Sequence, residues 1–76
     1  MPPVRFTDHA AWRTAERHGC SVSLDHLEQE IAWAVGAGWW TRQPDDSLMV
    51  TIRSGERFIV TDEHVTGLVV LTALGW

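Results

Sequence analysis

The stretch RFTDHAAWRTAERHG, residues 5–19, repeats a chemically useful side chain at every fourth position: His9, Arg13 and Arg17. At about 100° per residue along an α-helix, these three and Glu16 fall within one arc. Fixed guanidinium forks suit phosphate oxygens, and a histidine, with an unperturbed pKa of about 6.5, exchanges a proton near neutral pH. Metal-free cleavage of RNA asks for those abilities. It needs a base for the 2′-hydroxyl proton, an acid for the leaving oxygen and positive charge beside the phosphorane. His9 and His64 are the candidate proton carriers, and Arg13, Arg17, Arg53 and Arg57 the candidate charges. The plain alternative for the row is a solvated helix face in which Arg13 or Arg17 pairs with Glu16. Ala11, Ala15 and Trp12 lie opposite the row and are expected to face a sheet.

The other candidates have plain alternatives too. Arg53 and Glu56 flank Ser54-Gly55 and are expected to pair across a hairpin. Arg57 alternates with Phe58 and falls on the other face, roughly opposite Ile52, where its stem could simply pack. His64 sits in DEHVTG beside Asp62 and Glu63, and a solvated loop histidine is the simpler explanation for it. Spacing selects neither Asp62 nor Glu63 as a base. His18, Cys20 and His26, with His9 more distant, have neither paired CxxC nor HExxH spacing, so no metal site is expected. Cys20 reads as a small connecting residue, and with a single cysteine no intrachain disulfide forms. Gly36 and Gly38 are turn residues without a phosphate-loop pattern, and no cofactor is implied.

The elements that must position these residues follow from capping and periodicity. VRF at 4–6 is a short strand, and Thr7 or Asp8 caps a helix that runs to about His18 and ends at Gly19. Ser23 caps a second helix, with Val22 and Leu27 placed as a hydrophobic staple and Leu24, Leu27, Ile31, Ala34 and Val35 at helical spacing up to Gly36 or Gly38. Beyond Gly38 the period becomes two, with strands expected at 39–43, 48–53, 56–61 and 68–74. PDDS at 44–47 and a two-residue turn at 54–55 join the first three. LVVLTAL at 68–74 is apolar on both faces, so it belongs inside the sheet, with 4–6 as the spare strand to flank it. The expected fold is α+β, β-α-α-β-β-β-β, with two N-terminal helices on one face of a four- or five-stranded, mainly antiparallel sheet.

Composition bounds the function. Seventy-six residues make one domain, 1–76, with a thin core, and 45% apolar against 21% charged residues is ordinary for a folded chain. The formal charge is −4 and every basic residue is arginine, a balance that opposes long-range capture of nucleic acid. No apolar run approaches the roughly 20 residues of a membrane span, and MPPVRF lacks a secretory h-region, so no membrane and a cytoplasmic setting are expected. Five tryptophans are many for this size. Trp39 and Trp40 must point to opposite faces of their strand, so only one can join the core. The other is either exposed to a partner or wrapped near Trp76. Trp33, opposite the Leu24 stripe, either meets a partner or homodimer or packs on the first helix or the N-terminal arm.

The segment RFTDHAAWRTAERHG resembles the opening of a group of small uncharacterised bacterial and phage domains. In them HA, an arginine three residues later and a second arginine four beyond open the helical part, here His9, Ala10, Arg13 and Arg17. That group looks like a branch of the RelE/ParE/BrnT superfamily of toxin-antitoxin toxins, and the resemblance spans about residues 4–74. It implies a RelE-like fold and a metal-independent ribonuclease acting on messenger RNA, partnered by a cognate antitoxin. ParE-like relatives poison gyrase instead. A noncatalytic module on the same fold, engaging a host protein through its tryptophans and acidic surface, is the alternative, and the net charge favours it.

Overall fold

The computed structural model describes residues 3–19, 23–63 and 67–75. Cys20, Val22, His64 and Trp76, each invoked above, lie outside the described residues. The elements run β1 (Val4–Phe6), α1 (Asp8–His18), α2 (Leu24–Gly36), β2 (Trp40–Arg42), β3 (Leu48–Thr51), β4 (Arg57–Glu63) and β5 (Gly67–Gly75). They form an α+β fold with a mixed sheet in the order β1-β5-β4-β3-β2. β5 pairs parallel to β1 and antiparallel to β4, so the strand that is apolar on both faces is flanked on both sides.

Local chemistry sets the helix ends. The Thr7 hydroxyl accepts from the Ala10 amide at 3.0 Å, and Gly19, at φ +75°, donates its amide back to the Ala15 carbonyl. Ser23 accepts from the His26 amide at 3.3 Å at the start of α2. Leu27, Ile31 and Ala34 of α2 and Ala10 of α1 share one core with Leu48, Val50, Ile52, Phe58, Val60, Leu68, Val70 and Ala73 of the sheet segment. Both helices therefore cover the same sheet face. Phe6 meets Phe58 edge-to-face across that core, with ring centroids 6.0 Å apart.

The face α1 buries differs from expectation. Ala10 and Thr14 are the buried residues, Ala15 is exposed and Trp12 is 59% exposed. Only Thr7 separates β1 from α1, and its amide donates to the Val70 carbonyl at 3.1 Å, so the docking of β1 fixes how α1 is rotated. Small residues at 10 and 14 let the helix approach β5. The Thr14 hydroxyl is satisfied by the Ala10 carbonyl at 2.8 Å.

The β3–β4 connection also corrects the sequence reading. The Ile52 amide donates to the Glu56 carbonyl at 3.0 Å and the Gly55 amide to the Ile52 carbonyl at 2.9 Å. The loop thus has three residues, 53–55, with Gly55 at φ +93°. Ile52 faces Glu56, Arg53 drops into the loop, and Glu56 lands on the core side. Arg57 opposes Thr51 rather than Ile52.

Phe58 is fully buried, whereas Leu71 is 38% exposed on a strand whose neighbour Val70 faces the core. Phe58→Ala is expected to cost about 3–5 kcal/mol, enough to unfold much of a domain this small. Leu71→Ser should stay within about 1 kcal/mol. Urea denaturation followed by tryptophan fluorescence would measure both, and equal effects would contradict the core described here.

Candidate functional site

The row His9, Arg13 and Arg17 flanks the buried stripe of α1 and lies along the second half of β5, beyond the reach of β1. His9 Nε2 is 3.3 Å from Thr72 Oγ1. Arg13 Nη1 is 3.3 Å from Glu16 Oε1, which is the surface pairing the spacing allowed. The Arg17 guanidinium packs on Gly75: a Cβ placed there would come within 2.5 Å of Arg17 Nη1. Gly75 also has φ +88°, so any other residue would be strained as well as crowded.

Arg57 does not join this row. It opposes Thr51 and Gly75, and Thr51 lies between the core residues Val50 and Ile52, so Arg57 points to the sheet face away from the helices. His64 lies outside the described residues. The structure thus sets His9 and Arg17 against the second half of β5 and Arg13 against Glu16, while Arg57, on β4, stands across from Gly75.

Arg53 and Glu56 do not pair with each other. Arg53 forms a two-pronged contact with Glu30 of α2, Nε to Oε1 at 3.1 Å and Nη2 to Oε2. Its guanidinium carbon sits 4.6 Å from the ring centre of Trp33. Glu30 and Trp33, three apart on α2, thus clamp the β3–β4 loop. The Arg53 hydrogen bond holds the Glu30 carboxyl below the usual carboxylate range and raises Arg53 in turn.

Glu56, released from Arg53, is fully buried and its Oε1 is 2.7 Å from His18 Nε2. Its Oε2 has no hydrogen-bond partner, and it is the one such buried side-chain atom among the described residues. A cleft of about 320 Å³ is lined by both residues together with Ser23, His26, Leu27, Glu30, Ile52 and Ser54. No group of three described histidine, cysteine or acidic side chains is close enough to hold a metal ion. Sequence reasoning placed His18 only in a discarded metal set and Glu56 only in a surface pair. The signal that could have found them is the Ser54-Gly55 pair read as a three-residue loop, which turns Glu56 inward.

A third feature lies at the β2 end of the sheet. Trp39 and Trp40 are 45% and 39% exposed, so neither joins the core. Trp33 meets Trp39 edge-to-face, with ring centroids 4.7 Å apart, and packs against the rim of the core. The Arg42 guanidinium lies 5.8 Å from the Trp40 ring centre. Every residue of β2 is exposed, and β2 is the sheet's last strand. No helix among the described residues is long and apolar enough to cross a membrane.

Compared with protein-family models, curated proteins and solved structures, the chain matches none.

Two outcomes test this geometry. His18→Ala leaves the Glu56 carboxylate buried and unpaired, and should destabilise the fold by about 3–5 kcal/mol, whereas the double change with Glu56→Met should recover most of that loss. Chemical denaturation of the four-member cycle measures the coupling, and additive losses would deny it. For Glu30, whose folded pKa is depressed, the Arg53 interaction contributes stability above the unfolded carboxylate range that is lost as pH falls through the folded value. In a carboxyl NMR titration Arg53→Ala should move Glu30 upward. An unmoved midpoint would show that the clamp is not formed.

Proposed function

We propose that this chain is a protein-binding module whose contact surface is the tryptophan- and arginine-rich edge at β2. The observation that carries this reading is the exposure of Trp39 and Trp40 on an edge whose three strand residues are all open to solvent. Tryptophan and arginine are the residue types that dominate binding energy when a partner desolvates them. Arg53, Trp33 and Trp39 hold one another in place, and Arg42 holds Trp40, so little ordering entropy is left to lose on binding. An edge strand offers unpaired backbone groups, which suits an extended segment of a host protein or an antitoxin added alongside β2. The charge of −4 opposes long-range capture of RNA.

The second reading, a toxin-type ribonuclease of RelE/BrnT-like descent, is favoured by a different observation: the His9, Arg13 and Arg17 row against Thr72 and Gly75. There His9 would exchange the proton and the two arginines would meet the phosphate. Against it stand the Arg13 contact with Glu16 and the position of Arg57 on the far face.

One experiment separates the two. The chain, carrying a photo-crosslinking residue in place of Thr41, is induced in bacterial cells while growth and messenger RNA integrity are followed. The binding reading expects one dominant protein adduct, lost by more than about tenfold when Trp39→Ser and Trp40→Ser are combined, with RNA intact. Diffuse adducts that survive those changes would count against it. RNA cleavage abolished by Arg13→Ala with Arg17→Ala, in protein that remains folded, would establish the ribonuclease instead.

A further inference from the structure

We infer that the cleft between the end of α1, the start of α2 and the β3–β4 loop is a binding site for a compact organic cation, a primary ammonium or guanidinium head on a short apolar stem. The site is apart from the His9 row and adjoins the β2 surface through the Arg53–Glu30 contact, and it stands whether or not either reading of function holds.

Among its lining residues Glu56 is fully buried, with one carboxyl oxygen held by His18 at 2.7 Å and the other unpartnered. A buried polar atom of this kind is costly to leave unmade, and a carboxylate oxygen is satisfied by an N–H or O–H donor. The wall carries a second carboxylate, Glu30, whose side chain is only 13% exposed; Arg53 already takes both its oxygens, so the unmet acceptor in the cleft is that of Glu56. Leu27 and Ile52, 5% and 3% exposed, supply the apolar sides against which a stem of a few methylenes would lie. The volume of about 320 Å³ is at the small end of ligand pockets, fit for a head and short stem rather than for a nucleotide. A bare divalent cation fits poorly, because among the described residues no three candidate ligands converge. A phosphate or carboxylate would bring acceptors to an acceptor at Glu56 Oε2.

The same head and stem occur in free polyamine-like molecules and in a lysine or arginine side chain of a partner protein. The wild-type chain, labelled with ¹⁵N, is titrated with n-butylammonium chloride, with agmatine, with the capped tripeptide acetyl-Gly-Arg-Gly-amide, and with butan-1-ol as the neutral isostere. Saturable shifts at the amides of Ser54, Glu56 and Leu27 with the cations, at least about tenfold stronger than with the alcohol, are expected. A tripeptide that binds tighter than agmatine assigns the site to a partner's side chain, and the reverse assigns it to a free small molecule. Both support the site.

Glu56→Gln should weaken the cations by about tenfold or more. Because that variant removes a buried pair, Glu30→Gln is the companion, expected to weaken them about threefold while leaving the His18–Glu56 contact in place. No saturable shift with any cation, or equal binding of butylammonium and butanol, overturns the inference and leaves water as the occupant of the cleft.

Discussion

The parallel pairing of β1 with β5 is the contact on which the rest of this fold depends. Three residues, Val4–Phe6, reach across the whole sequence to Leu68, Val69 and Val70. Such a contact closes nearly the entire chain into one loop, so its entropy must be met by everything formed with it. In return it places β5 inside the sheet and brings Phe6 onto Phe58. Because Thr7 alone separates β1 from α1, the same pairing sets the rotation of the first helix. It decides that Ala10 and Thr14 look inward while His9 and Arg17 run beside the uncovered half of β5.

A chain without lysine uses its arginines largely as planar struts. Arg53 spans Glu30 and Trp33, Arg17 lies flat on Gly75, and Arg42 sits over Trp40 while its Nη1 donates to the Asp46 carbonyl at 3.2 Å. A compact ammonium could not stack and fork in this way. Each strut joins segments that a thin core cannot hold by itself: loop to helix, helix to strand, turn to strand. Of the arginines, Arg13 and Arg53 are offset by carboxylates, Glu16 and Glu30.

The hairpin loop at 53–55 exerts an influence beyond its length. One residue more than a tight turn exchanges the faces of its flanks, so a surface ion pair becomes a buried carboxylate and a loop arginine. The His18–Glu56 contact and the Arg53–Glu30 clamp both descend from that register, and between them lies the cleft. The loop is held to α2 from outside by the clamp, while the buried pair ties it to the end of α1. These are the two helices that also supply the core.

Periodicity and capping in the sequence determined the order of elements, the helix boundaries at Gly19 and Ser23, a first cap at Thr7 or Asp8, and the interior place of β5. Each of these rests on interactions between near neighbours or on the apolar content of a single segment. Trp12 shows where that logic ends. Both faces of α1 carry apolar residues, and the choice between them was made by the docking of β1, which no helical wheel contains. Trp39 and Trp40 both stay well exposed: α2 reaches the Trp39 ring through the rim residue Trp33 and its backbone through the Ala34 carbonyl, which leaves neither indole in the core. The His9, Arg13 and Arg17 row was legible because helical spacing is local. The separation of Arg57 from it, the union of His18 with Glu56 across 38 residues, and the Arg53–Glu30 clamp across 23 were not. Those depend on strand register and on which helix lies over which loop, quantities fixed by the tertiary fold through long-range packing rather than by any residue's neighbours.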